Sequence, residues 1–185
     1  MKKSVNRELS ERDDYLFMRK WNLIGIVVLC LLSIPFHFMY EWLGENQIVG
    51  LFFPMNESIW EHLKLVFFPI TIWWLLGYLI FGRKENVSFA KTIISAAASA
   101  ILAMLIITSW YYVWESGIGI SNSILHVGSI FIAVPIAQLV GIHIYRIIDP
   151  KSIYVILAVL MIVVFAVAFV AFSLSPPDMP IFIEP

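Results

Sequence analysis

The stretch Asn56–Phe81, NESIWEHLKLVFFPITIWWLLGYLIF, decides the fold. Its head carries Asn56, Glu57, Ser58, Glu61, His62 and Lys64, and the seventeen residues from Leu65 to Phe81 carry no charge. A polar head leading into an apolar run of this length reads as a helix that enters a bilayer. Asn56 is the expected N-cap, with acids in the first turn against the positive end of the helix dipole. At about 100° per residue, Lys64, Glu57, Glu61, Ser58 and His62 fall on one arc of roughly 160°, and Val66, Ile59, Leu63, Phe67 and Trp60 fill the rest. Glu57 and Glu61, like Ser58 and His62, are i,i+4 neighbours; Glu61 and Lys64 are i,i+3 neighbours. Two carboxylates and an imidazole on one arc suit metal ligation or proton exchange. The competing reading is an amphipathic interfacial turn in which Glu61 and Lys64 form a solvated pair.

Outward from this helix the rest of the chain has the same character. Of 185 residues, 61% are hydrophobic and only 14% charged, and the apolar residues come in runs of bilayer-spanning length. The fold class is therefore all-α, a polytopic membrane bundle of about five helices in one domain. Spans are expected at 22–43, 56–81, 92–114, 124–145 and 153–174. A polar tail over 1–21 precedes them, too polar for a signal-peptide core, and a proline-rich tail over 175–185 follows. Pro35 and Pro69 are expected to bend or loosen the first and second spans. The run Ser95–Ala100, SAAASA, suits close helix contact. Trp110, Tyr111, Tyr112 and Trp114 form an aromatic belt. A net charge of −1 argues against a nucleic-acid partner. Cys30 is the only cysteine, which excludes an internal disulfide and fits a small core hydrophobe.

Lysine and arginine concentrate in the N-terminal tail, in the loop with Arg83, Lys84 and Lys91, and around Arg146–Lys151, whereas Glu45, Glu115, Asp178 and Glu184 lie in the alternate loops. The positive-inside rule then places the N-terminus in the cytoplasm and the C-terminus outside, in a multi-pass protein of the plasma membrane. With that orientation His37, His62 and His126 fall within the outer third of the membrane, together with Glu41, Glu57 and Glu61. His143 lies at the inner end near Arg146 as an interfacial residue. Ionisable groups are costly in hydrocarbon, so a shared depth on three helices favours a shared pocket.

The metal reading makes His37, His62 and His126 the ligand candidates, with Glu41, Glu57 or Glu61 as the acidic ligand and a second carboxylate as base toward an activated water. Zinc is the divalent ion that this donor set suits best. Ser58 beside His62 is a candidate nucleophile, although a serine at a helix start commonly caps it. Asn56 and Lys64 are supporting residues. There is no HExxH or comparable linear motif. A hydrolase of this kind would draw a lipid or small molecule from the outer leaflet. The alternative is a non-enzymatic carrier or a lipid- or partner-binding subunit, with a homo-oligomer left open; about five unrepeated spans argue against a carrier built from inverted repeats. A purely structural polar network is the third reading.

The segments HFMYEW at 37–42, VGLFFPMNESIWEHLKLVFFP at 49–69 and PPDMPIF at 176–182 resemble a family of uncharacterised bacterial integral-membrane proteins. That family has the signature His-Phe-x-Tyr-Glu-Trp followed by Asn-Glu-Ser-x-Trp-Glu-His-Leu-Lys. On this resemblance His37, Glu41, Asn56, Glu57, Glu61, His62 and Lys64 occupy the signature positions, and Asp178 stands where a histidine is expected. The resemblance implies a membrane bundle and carries no activity.

Overall fold

The computed structural model describes residues 2–82, 86–120 and 127–184. Its elements in order are α1 (Lys2–His37), α2 (Met39–Trp42), α3 (Gln47–Gly50), α4 (Ile59–Phe81) and α5 (Phe89–Tyr112). A π-helical turn (Val113–Ile118), α6 (Ile130–Ile147), α7 (Ser152–Leu174) and a 3₁₀ turn (Pro180–Phe182) complete it. Among the described residues there is no strand, and five helices are long and apolar enough to cross a membrane. The protein is an all-α bundle of the multi-pass membrane type.

Several boundaries differ from the expected ones. Helix α1 runs unbroken through the region expected as a tail and ends at His37, two residues beyond Pro35. The aliphatic run and the helix-forming residues before it join into one rod, and the proline limits how far that rod continues. Helix α4 starts at Ile59 rather than Asn56. Ser58 is its N-cap, its Oγ accepting the backbone N–H of Glu61 at 3.4 Å, while Asn56 Oδ1 accepts the N–H of Ser58 at 3.1 Å and closes the preceding turn. Both are local side-chain bonds to orphan donors. Glu57 therefore lies outside the helix. The expected loops with Arg83 and Lys84, the start of the expected fourth span at Ile124, and His126 lie outside the described residues.

Helices α1, α4, α5 and α6 close a four-membered ring, each packed on its two neighbours, and α7 lies outside against α5 and α4. Small residues let α5 pack closely on α4, α6 and α7: Ser95, Ala96, Ala97, Ser99, Ala100 and Ala103 are all buried, as expected where backbones approach closely. Helix α7 is the most apolar, yet only 11% of its span is buried; it turns Ile156, Leu160, Val163 and Val167 outward, which suits a lipid-facing helix. A ring of Trp60, Phe169, Phe172 and Phe182 docks the C-terminal 3₁₀ turn on α4.

One reciprocal contact sets the spacing of α1 and α4. The indoles of Trp21 and Trp73 stack with centroids 4.4 Å apart. Trp21 Nε1 donates to the Trp73 carbonyl at 2.9 Å, and Trp73 Nε1 to the Trp21 carbonyl at 3.2 Å. Each ring lies over a glycine of the other helix, Trp21 over Gly77 and Trp73 over Gly25, where an added Cβ would come within 2.8 and 2.2 Å of the indole. This clasp fixes two helices whose far ends carry His37 and His62.

Candidate metal centre

His37 closes α1, and His62 lies in the first turn of α4. The turn at Phe38–Trp42 and the loop with left-handed Gly44 and Glu45 carry the chain away from α1 and back to α4, so the two histidines share one end of the bundle. Their Nε2 atoms are 3.0 Å apart. Glu57 Oε2 lies 3.4 Å from His62 Nε2 and 3.6 Å from His37 Nε2. The two imidazoles are 15% and 12% exposed, and the Glu57 carboxylate is 58% exposed: two largely buried groups and one that reaches solvent.

The tautomer of His62 follows from its other nitrogen. Nδ1 lies 2.8 Å from the Ser58 carbonyl oxygen, which can only accept, so Nδ1 carries a proton, and in the neutral imidazole Nε2 presents a lone pair. That lone pair faces His37 Nε2, and a proton or a cation must lie between the two nitrogens. Metal-ligating histidines characteristically donate the second ring N–H to a carbonyl or carboxylate in this way. His37 Nδ1 is buried without a hydrogen-bond partner among the described residues.

The distances fit a metal. Around a tetrahedral Zn²⁺ with bonds of about 2.0–2.1 Å, ligand atoms are separated by about 3.3–3.4 Å. The observed 3.0, 3.4 and 3.6 Å bracket that spacing. Two histidines and a carboxylate could supply three ligands to such an ion and would leave at least one position open, a donor set compatible with zinc chemistry. In the metal-free protein, a hydrogen bond from protonated His62 holds the Glu57 carboxyl below the usual carboxylate range; the positive charges of protonated His62 and His37 act the same way, and burial opposes them. The shift favours the ionised form of Glu57, the form a metal ligand requires.

The single arc expected on α4 divides into two clusters. Glu61 turns away from the histidines and is fully engaged. Its Oε2 accepts from Lys64 Nζ at 2.6 Å and from the N–H of Met55 at 2.9 Å, and its Oε1 accepts from Ser173 Oγ at 2.8 Å. Lys64 is completely buried and also donates to the Gly50 carbonyl at 2.6 Å. The Glu61–Lys64 pair is therefore a buried brace joining α4, α7 and the loop after α3, and not a solvated pair. Ser58 gives its hydroxyl oxygen to the helix cap and its carbonyl oxygen to His62. Asn56 supports the same turn. Glu41 is exposed on α2 and near enough to act on His37 through its charge. His143 is exposed on α6 away from the histidine pair.

Sequence reasoning missed Ser173, the Gly50 carbonyl and the Met55 N–H as the groups that consume Glu61 and Lys64. Ser173 could have been flagged: it is the one hydroxyl in the last turns of an otherwise apolar helix. The two backbone groups carry no signal in residue identity. A family model described as a family of unknown function (DUF6512) matches residues 11–185. No curated protein and no solved structure matches the chain.

Proposed function

We propose, for a chain that belongs to this family of unknown function (DUF6512), a metal-dependent membrane hydrolase whose zinc-type centre is built by His37, His62 and Glu57. The observation that carries the reading is the triangle of ligand atoms, all within 4.8 Å of one another, with His62 already oriented by the Ser58 carbonyl. A bound zinc ion would supply Lewis acidity and a nucleophilic water at neutral pH. His37 and His62 hold it from the protein side, and Glu57 closes the third edge toward solvent. Glu41 is the carboxylate left to accept a proton, because Glu61 is committed to Lys64.

The charge pattern of the sequence supports a plasma-membrane protein with the N-terminus in the cytoplasm and this site facing the outer leaflet. An apolar groove of about 360 Å³ between α1 and α4 supports an amphiphilic substrate. Leu29, Phe36, Leu65, Phe68, Ile72 and Leu76 are among its walls, and Phe36 adjoins His37. A chain lying there would bring its polar head to the histidines.

The test is hydrolysis by zinc-loaded protein of a fluorogenic ester or amide probe with an acyl tail. Turnover by wild type and its loss in His62→Ala support the reading. Equal rates in both, or none from wild type across ester and amide probes, would count against hydrolysis.

A further inference from the structure

At the end of the bundle opposite the histidines, a cavity of about 400 Å³ opens between α1, α5 and α6. Arg12, Tyr15 and Leu16 line it from α1, Lys91 from α5, and Tyr145 and Arg146 from α6. Among the described residues, three cations line it and no carboxylate does. The Arg146 guanidinium carbon lies 5.7 Å from the centre of the Tyr15 ring, and Lys91 Nζ 5.9 Å from that of Tyr145. Such ring contacts steer a cation without neutralising it or using up its N–H donors.

The wall behind them is built to stay in place. The Tyr145 hydroxyl donates to Asp14 Oδ1 and accepts the backbone N–H of Ser88 at 3.2 Å. Asp14 is buried behind that hydroxyl, set back from the described residues that line the cavity. Like charges drawn together beside a low-dielectric bundle repel one another unless an anion joins them.

We propose that this cavity binds a phosphate-bearing anion. Guanidinium forks match phosphate oxygens in pairs, and an ammonium adds a point charge. The volume is that of a small-ligand pocket. The same chemistry comes from an anionic lipid headgroup, for which Leu16 offers an apolar flank, or from a soluble phosphate. Its occupant ties together three of the four ring helices. The site shares no residue with the metal centre and does not depend on it.

The test uses the full-length protein in detergent and follows its unfolding midpoint. One arm adds phosphatidylglycerol or phosphatidylcholine to the micelles; the other adds sodium phosphate or sodium chloride at equal ionic strength. A rise on the order of 5 °C with phosphatidylglycerol alone, lost in Arg12→Gln/Arg146→Gln, assigns a lipid headgroup. The same rise with inorganic phosphate, lost in the same variant, assigns a soluble ligand. No rise in either arm, or a rise that the variant keeps, overturns the site. Should the double variant fail to fold, native mass spectrometry of the wild type replaces it. Preferential retention of phosphatidylglycerol, reduced in Lys91→Gln, supports the site, and equal retention of the two lipids contradicts it.

Discussion

His62 donates its Nδ1 proton to the carbonyl oxygen of Ser58, one helical turn back, across 2.8 Å. The bond uses the backbone of Ser58, not its hydroxyl. Ser58→Ala should therefore keep the imidazole aligned and metal binding intact, while costing about 1 kcal/mol for the lost cap. Metal stoichiometry and thermal unfolding of this variant check both halves. Loss of metal with the fold intact would return Ser58 to the chemistry.

The Glu61–Lys64 pair is buried on both sides, with side chains 4% and 0% exposed. Removing one partner strands the other in the bundle. Glu61→Gln or Lys64→Met should each cost on the order of 3–5 kcal/mol, and the double variant less than the sum of the two. A double-mutant cycle in detergent measures the difference; simple additivity would show that the two groups do not depend on each other.

The α1–α4 clasp should govern the site from a distance. Gly77→Leu would place a side chain where Trp21 lies. The expected cost is about 1–3 kcal/mol of overpacking, together with weaker metal affinity as His37 shifts from His62. Titration of a folded variant with zinc reads this directly, and unchanged affinity would separate the clasp from the site.

In metal-free protein, Glu57 should contribute to stability with a definite sign. Its carboxyl is held below the usual range by His62, so the folded state favours the ionised form. That contribution is complete above the ordinary carboxylate pKa and is lost as pH falls through the lower folded value. Exposure and screening keep it well under about 1 kcal/mol. Unfolding midpoints across the acid range should fall less steeply in Glu57→Gln than in wild type; identical slopes would remove Glu57 from the histidine pair.

The bundle was legible because bilayer physics writes it plainly: apolar runs of fixed length, separated by charged turns, admit few other folds. The pairing of His37 with His62 was legible from their shared depth. The division of the α4 arc was not. It turns on Ser58 rather than Asn56 capping the helix, which frees Glu57 from helical geometry, and on two backbone groups that capture Glu61 and Lys64. The Trp21–Trp73 clasp did leave a trace, since both helices carry a tryptophan four residues before a glycine, WNLIG and WWLLG. Composition alone gives that repeat no meaning until the helices are side by side.

The most direct test is the metal content of protein purified without chelators. About one equivalent of zinc or another divalent transition metal per chain is expected, reduced to background in His37→Ala and His62→Ala variants that still fold. Less than about a tenth of an equivalent in the wild type, with no uptake on titration at neutral pH, would contradict the account.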